Sequence, residues 1–206
     1  MALAPLLDPP TEPPVAAAPA GAPVAVLFGS TSGRTEELAL QVAARLSARL
    51  GEAVPVQDVA TTDLAFLKVS EFAILGVPTW HVGELQADWD AVVDDLAAMD
   101  LRGLLVALFG AGDAAGYPDT FGDALGIVAE AVENAGATVV GHVPADAYAF
   151  EASRARRGDR LVGLLVDDRD DEPVARDRID RWCRALPLGP GRSGARAARS
   201  RSDRSS

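Results

Sequence analysis

"FGSTSGRTEELALQVAARL", residues 28–46, closes one short apolar run and opens an amphipathic segment, and the turn between them decides the fold. The run "PVAVLFG" (23–29) has the continuous hydrophobicity of a strand buried on both faces. Beyond the turn, Leu38, Val42, Leu46 and Leu50, with Ala39 and Ala43 beside them, recur at helical spacing and form one apolar stripe. The loop Ser30, Thr31, Ser32, Gly33, Arg34 and Thr35 therefore sits between a strand end and a helix start, where hydroxyls, backbone N–H groups and the helix dipole favour an anion. A triphosphate loop needs four residues between its glycines and then Gly-Lys-Ser/Thr. Here Gly29 and Gly33 have three residues between them, Arg34 follows, and no G-x-G-x-x-G is present. The loop suits a terminal monophosphate held by neutral donors. The competing reading is an ordinary helix start capped by Ser32 or Thr35, with Glu36 and Glu37 favouring the dipole.

Outward from this unit the same alternation continues. Strand-like runs occur at "AVPVQDV" (53–59), "FAILGVP" (72–78), "GLLVALFG" (103–110) and "TVVGHV" (138–143), and helix-period stripes run through 85–99, 121–135 and 174–186. Strands alternating with helices predict a doubly wound α/β sheet. One piece exceeds a minimal five-strand unit. Between "TVVGHV" and the last helix lie "PADAYAFEASRARRGDR" (144–160) and another apolar run, "LVGLLVD" (161–167), with no helix between them. A fifth strand interrupted by an insertion accounts for both.

The ends differ from this body. Residues 1–22 are rich in Pro and Ala and read as a flexible leader, residues 23–187 as the folded domain, and residues 188–206 as a disordered Gly/Ser/Arg tail. The tail holds five arginines against Asp203, a net +4, so a formal charge of −11 leaves −15 on the rest. An acidic body argues against nucleic acid and for basic protein surfaces as partners. Cys183 is the sole cysteine, which excludes an intrachain disulfide and a thiolate metal cluster and suits a reducing cytoplasm. No run is long enough for a membrane helix.

Two further loops leave strand ends, where open parallel sheets bind ligands. "GVPTWHVGELQADW" (76–89) displays Trp80 in a Pro/Gly-bounded loop, suited to stacking on a flat ligand or to closing the core edge. "FGAGDAAGYPDTFGDALG" (109–126) displays Tyr117 among small residues, as a second stacking group or as a surface tyrosine on a connector. Jointly, the three loops describe a flat ring with a phosphorylated tail.

These motifs, with "GLLVDD" and "DRIDRW", resemble the flavodoxins, and the insertion resembles the long-chain branch, over roughly residues 24–186. The resemblance implies a flavodoxin-like five-stranded parallel sheet in the order 2-1-3-4-5, helices on both faces, and one non-covalent FMN. It implies that Ser30 to Thr35 wrap the phosphate, Arg34 giving its backbone more than its charge. Trp80 and Tyr117 would sandwich the ring, and the backbone of Pro78, Thr79, His81, Val82 and Gly83 and of Ala111, Gly112 and Asp113 would border its polar edge. Thr120 would lie near the ribityl or ring contacts. His81 stands where relatives often have asparagine, and both residues tolerate positive φ. Arg169 stands where some relatives place an acid against the ribityl chain.

The activity implied is that of a low-potential one-electron carrier, not an enzyme, cycling mainly between semiquinone and hydroquinone. Its partners would be redox proteins with basic docking surfaces: reductases of the flavodoxin/ferredoxin-NADP type as donors, low-potential enzymes as acceptors. The chain would act as a cytoplasmic monomer. The alternatives are an NAD(P)H:quinone reductase-like enzyme on the same fold and a binding module without flavin. His142 reads as a structural histidine within a strand, Cys183 as core, and the acids Asp167, Asp168, Asp170, Asp171 and Glu172 as a solvated turn, with a docking surface as the alternative.

Overall fold

The computed structural model describes residues 24–188; the leader and the tail lie outside the described residues, except for Leu188, which is buried. Four strands come first: β1 (Val24–Phe28), β2 (Val56–Asp58), β3 (Phe72–Gly76) and β4 (Leu105–Gly112). The fifth position is shared by β5 (Thr138–Val140) and β6 (Gly163–Asp167). All pairings among these strands are parallel, in the order β2-β1-β3-β4, with β5 and β6 both on β4. The order 2-1-3-4-5 and the interrupted fifth strand are thus present. β5 pairs with Leu105–Ala107 and β6 with Leu108–Gly112, so the two pieces divide one neighbour between them.

Helices α1 (Arg34–Leu50), α2 (Ala87–Ala97), α3 (Asp123–Asn134) and α4 (Glu172–Ala185) cover both faces. The period of two along the strands sorts side chains between two cores. Leu27, Leu75 and Leu108 join Trp89, Leu96, Leu125 and Val128 beneath α2 and α3. Val26, Phe28, Ile74 and Phe109 join Leu38, Val42, Ile179 and Trp182 beneath α1 and α4. Each such large apolar side chain taken from water contributes about 1.5–3 kcal/mol. The link from β2 to β3 holds only a 3-10 helix (Leu64–Val69), whose first turn is capped by the Asp63 carboxylate accepting from the Ala65 N–H at 2.8 Å.

The fifth strand departs from expectation at both edges of the insertion. Its first piece ends at Val140 rather than 143, because Gly141 turns the chain at a φ of 78° and its carbonyl accepts from Trp182 Nε1 at 2.7 Å. His142 consequently lies beyond the strand, half-buried, and burial holds its pKa down. The second piece begins at Gly163 because Arg160–Leu161 pairs within the insertion, in a small antiparallel sheet with Val143–Pro144 and Arg156–Arg157. The insertion is seated on the body. The Tyr148 hydroxyl donates to the Leu165 carbonyl at 2.7 Å, and Phe121 packs against Tyr148 and Phe150.

Candidate functional site

The three unusual loops leave the carboxyl ends of adjacent strands. Gly29 N–H donates to the Gly76 carbonyl at 3.1 Å, Val77 N–H to Phe109 at 2.8 Å, and Asp168 N–H to Gly112 at 2.8 Å, so the loops emerge side by side. Sequence separation is no obstacle, because parallel pairing has already aligned the exits.

In the first loop, the N-cap is Gly33, at a φ of 84° and without a side-chain cap. This overturns the capped-helix alternative. Thr35 is buried, and Ser30 Oγ accepts from the Gly33 N–H at 3.0 Å, which curls the loop back on itself. Thr31, Ser32 and Gly33 are exposed at the positive end of α1. The Arg34 guanidinium turns aside, 3.0 Å from Glu37 and 3.9 Å from Asp168. Burial pushes the Asp168 carboxyl up against the opposing pull of Arg34, with Asp167 and Asp113 adding to the rise.

The second loop is a small hairpin in which Thr79–Trp80 pairs with Glu84–Leu85. Trp80 is half-buried, and its ring meets that of exposed His81 edge-on at 5.5 Å. His81 has a φ of 43°, the sole positive value among the described non-glycine residues. Gly83, at a φ of 85°, brings the hairpin against α3: a Cβ there would lie 2.8 Å from Asp123 Oδ2 and 3.1 Å from Thr120 Cβ. Pro78 is buried beneath, and Val82 is exposed.

In the third loop Tyr117 is 48% exposed, and its N–H donates to the Asp113 carbonyl at 3.0 Å. The Asp113 carboxylate organises this loop. Its Oδ1 accepts from the N–H groups of Gly116 (2.8 Å) and Ala115 (3.1 Å) and from Arg169 Nε (3.0 Å). The Gly116 amide, then Arg169 and the Ala115 amide, hold the carboxyl below the usual aspartate range. Arg169 is thereby committed to Asp113. Ala111 is buried, and Gly112 packs on Phe121, whose ring a Cβ there would meet at 3.1 Å. Thr120 follows where its N–H reaches the Tyr117 carbonyl at 3.3 Å.

Sequence reasoning missed the residues that brace these loops from beneath. Gln86 is 3% exposed, and its Nε2 donates to Thr31 Oγ1 at 3.2 Å, linking the hairpin to the first loop. Trp89 is fully buried and donates Nε1–H to the Gly76 carbonyl at 2.9 Å. Both press on Gly29, where a Cβ would fall 2.6 Å from Gln86 Oε1 and from Trp89 Cδ1. A polar residue at a helix start was the available signal, since Gln86 is the N-cap of α2 and accepts from Asp88 N–H. The acidic run after β6 is also more than a solvated turn: Asp170 is 3.0 Å from Arg178, and Asp168 faces Arg34. Among the described residues no group of His, Cys, Asp and Glu could hold a metal, and no helix is long and apolar enough to cross a membrane.

An open doubly wound parallel sheet with three loops side by side at its carboxyl edge defines the class of protein. The flavodoxin profile matches residues 26–182. The chain is 41% identical over 133 residues to a flavodoxin of Synechococcus elongatus, covering 65% of this chain and 78% of that one. It is 38% identical over 136 residues to flavodoxin 1 of Escherichia coli, covering 66% and 77%. The chain belongs to the flavodoxin family. Among solved structures, a Fusobacterium nucleatum flavodoxin bound to flavin mononucleotide shares the fold, with a TM-score of 0.72 at 22% identity, covering 78% of this chain and 94% of that one. Oxidised flavodoxin 2 of Bacillus cereus is similar at 26% identity, with a TM-score of 0.59 and coverage of 79% and 95%.

Proposed function

We propose that this chain binds one FMN in the three loops and serves as a low-potential one-electron carrier between redox proteins. The observation that carries the reading is the bare start of α1, an exposed run of donors with no side-chain cap, beside two loops that carry Trp80 and Tyr117. The residues fit that cofactor in three respects. The hydroxyls of Ser30, Thr31 and Ser32 and the N–H groups of Arg34 and Thr35 supply neutral donors for a phosphate that stays in place. Thr79 Oγ1 is buried without a hydrogen-bond partner, as expected of a hydroxyl awaiting a polar ligand. Finally, the positive φ of His81 shows a peptide already held in a conformation that few residues accept.

When bound, the cofactor supplies one-electron transfer. Trp80 and Tyr117 would shield its ring from water, and the backbone from Pro78 to Gly83 and from Ala111 to Asp113 would supply polar contacts to it. The carboxylates of Asp113, Asp167 and Asp168 would make added negative charge at the ring costly and so lower the potential of a bound flavin. Arg169, paired with Asp113, offsets part of that field. A body with −15 of formal charge outside the tail suits partners with basic docking faces, such as reductases as donors and low-potential enzymes as acceptors, in the cytoplasm and with the chain as a monomer.

The test is reconstitution of the full chain with FMN. Equimolar quenching of flavin fluorescence and a one-electron-reduced form that persists during stepwise reduction are expected. Failure to take up FMN would overturn the reading, and rapid NAD(P)H oxidation by the protein alone would move it to a reductase.

A further inference from the structure

We propose that Gln86 is a positioning residue that fixes the polarity of the Thr31 hydroxyl, making it a donor toward the phosphate of the bound cofactor. This rests on the FMN reading above. Gln86 is 3% exposed and sits between three fixed groups: Thr31 Oγ1, the Asp88 N–H and the Asp88 carboxylate. The Asp88 N–H must donate, and it does so to Gln86 Oε1 at 3.2 Å. The Asp88 carboxylate, when ionised, can only accept, and it takes a hydrogen from Gln86 Nε2. These two partners leave no choice in the orientation of the amide. The remaining N–H of Nε2 therefore points at Thr31, which must accept it.

A hydroxyl that accepts one hydrogen bond keeps its own proton for another partner. Thr31 is exposed at the start of α1, on the side where that helix presents its uncapped N–H groups. Its proton is thus directed outward with the others, and the loop offers an anion donors only. Packing holds the amide in place. Gln86 Oε1 and Trp89 press on Gly29 so closely that no Cβ would fit, and Gln86 also begins α2 directly after the Trp80 hairpin. The same side chain therefore sets a hydrogen-bond direction in the phosphate loop and ties that loop to the hairpin beside it.

Glutamate and methionine separate the two roles. Gln86→Glu keeps shape but replaces the donor with an acceptor, so Thr31 turns its proton inward and a carboxylate is added behind the loop. Gln86→Met keeps most of the bulk and leaves Thr31 free to rotate. The readouts are dissociation constants for FMN and for riboflavin, which lacks the phosphate, measured with the full chain. Hydrogen bonds to charged groups are worth enough that Gln86→Glu should weaken FMN by about tenfold or more. Riboflavin should change by less than about twofold. Gln86→Met should fall between, and Thr31→Val should weaken FMN in the wild type but add little to Gln86→Glu, because the donor is already lost. A Gln86→Glu protein that binds FMN as tightly as the wild type overturns the proposal, as does an equal loss for FMN and riboflavin. If Gln86→Glu does not fold, an unchanged FMN affinity in Thr31→Val overturns it instead. Failure of the wild type to bind FMN at all would count against the cofactor reading and is distinct from each of these results.

Discussion

At the scale of single residues, the site rests on positions where nothing larger fits. Gly29→Ala would drive a methyl to within 2.6 Å of Gln86 and Trp89. Such overpacking costs about 1–3 kcal/mol, to be read as a lower urea midpoint at an unchanged m-value. Cys183 offers a chemical probe. Burial pushes its thiol up to about 12, so the thiolate is scarce and shielded. Alkylation of Cys183 should accordingly track unfolding, and labelling at the rate of a free thiol in the folded protein would contradict this packing. Acid sensitivity follows from the carboxylates. Asp113, Asp180 and Asp100 are depressed in the folded state, Asp100 to about 2, by hydrogen bonds from Gly116, Arg45 and Arg102 in turn. Folded values below the unfolded ones mean stability that is complete above about pH 4 and lost as pH falls toward 2. Asp168, raised by burial, works in the other direction, favouring the folded state on protonation. Asp113→Asn should therefore flatten the acid limb of a urea-midpoint series, whereas Asp168→Asn should raise stability at neutral pH.

At the scale of elements, the insertion is attached to the body through close backbone contacts as well as side chains. Gly126 on α3 lies so near Arg154 that a Cβ would sit 2.3 Å from its carbonyl carbon, and Asp123 Oδ1 accepts the Arg154 N–H at 2.7 Å. Gly126→Ala should displace residues 141–162 while the sheet persists. Amide exchange would then accelerate in that segment and stay slow in β1, β3 and β4, and uniform acceleration would point to global destabilisation instead. The elements themselves were largely legible in the sequence, because strands buried on both faces read as unbroken apolar runs and helices as stripes. Strand ends were not. Gly141 and the pairing of Arg160–Leu161 within the insertion are decided by Trp182 and by neighbours distant in the chain, which local pattern does not encode.

For the molecule as a whole, charge governs encounter. If partners dock on the acidic body, transfer rates should fall as salt rises from low to physiological strength, where the screening length shortens to about 8 Å. Rates independent of salt would mean that the charge of the acidic body does not govern encounter. The candidate site was legible as three loops with Trp80, His81 and Tyr117 displayed on them, because hydroxyls, glycines and aromatics at strand ends are conspicuous. Its bracing was not, since Gln86 meets Thr31 across 55 positions and Arg169 meets Asp113 across 56. Such pairs exist only once the strand order has placed the loops side by side. That order has one more consequence at the divided fifth strand. Val140 is paired with Ala107 and Gly163 with Leu108, so the chain leaves the sheet and returns at the next rung of the same ladder. The sheet keeps count across the detour: splicing Val140 to Gly163 would yield one continuous strand in the right phase, and segments of other lengths could be grafted there without moving a rung.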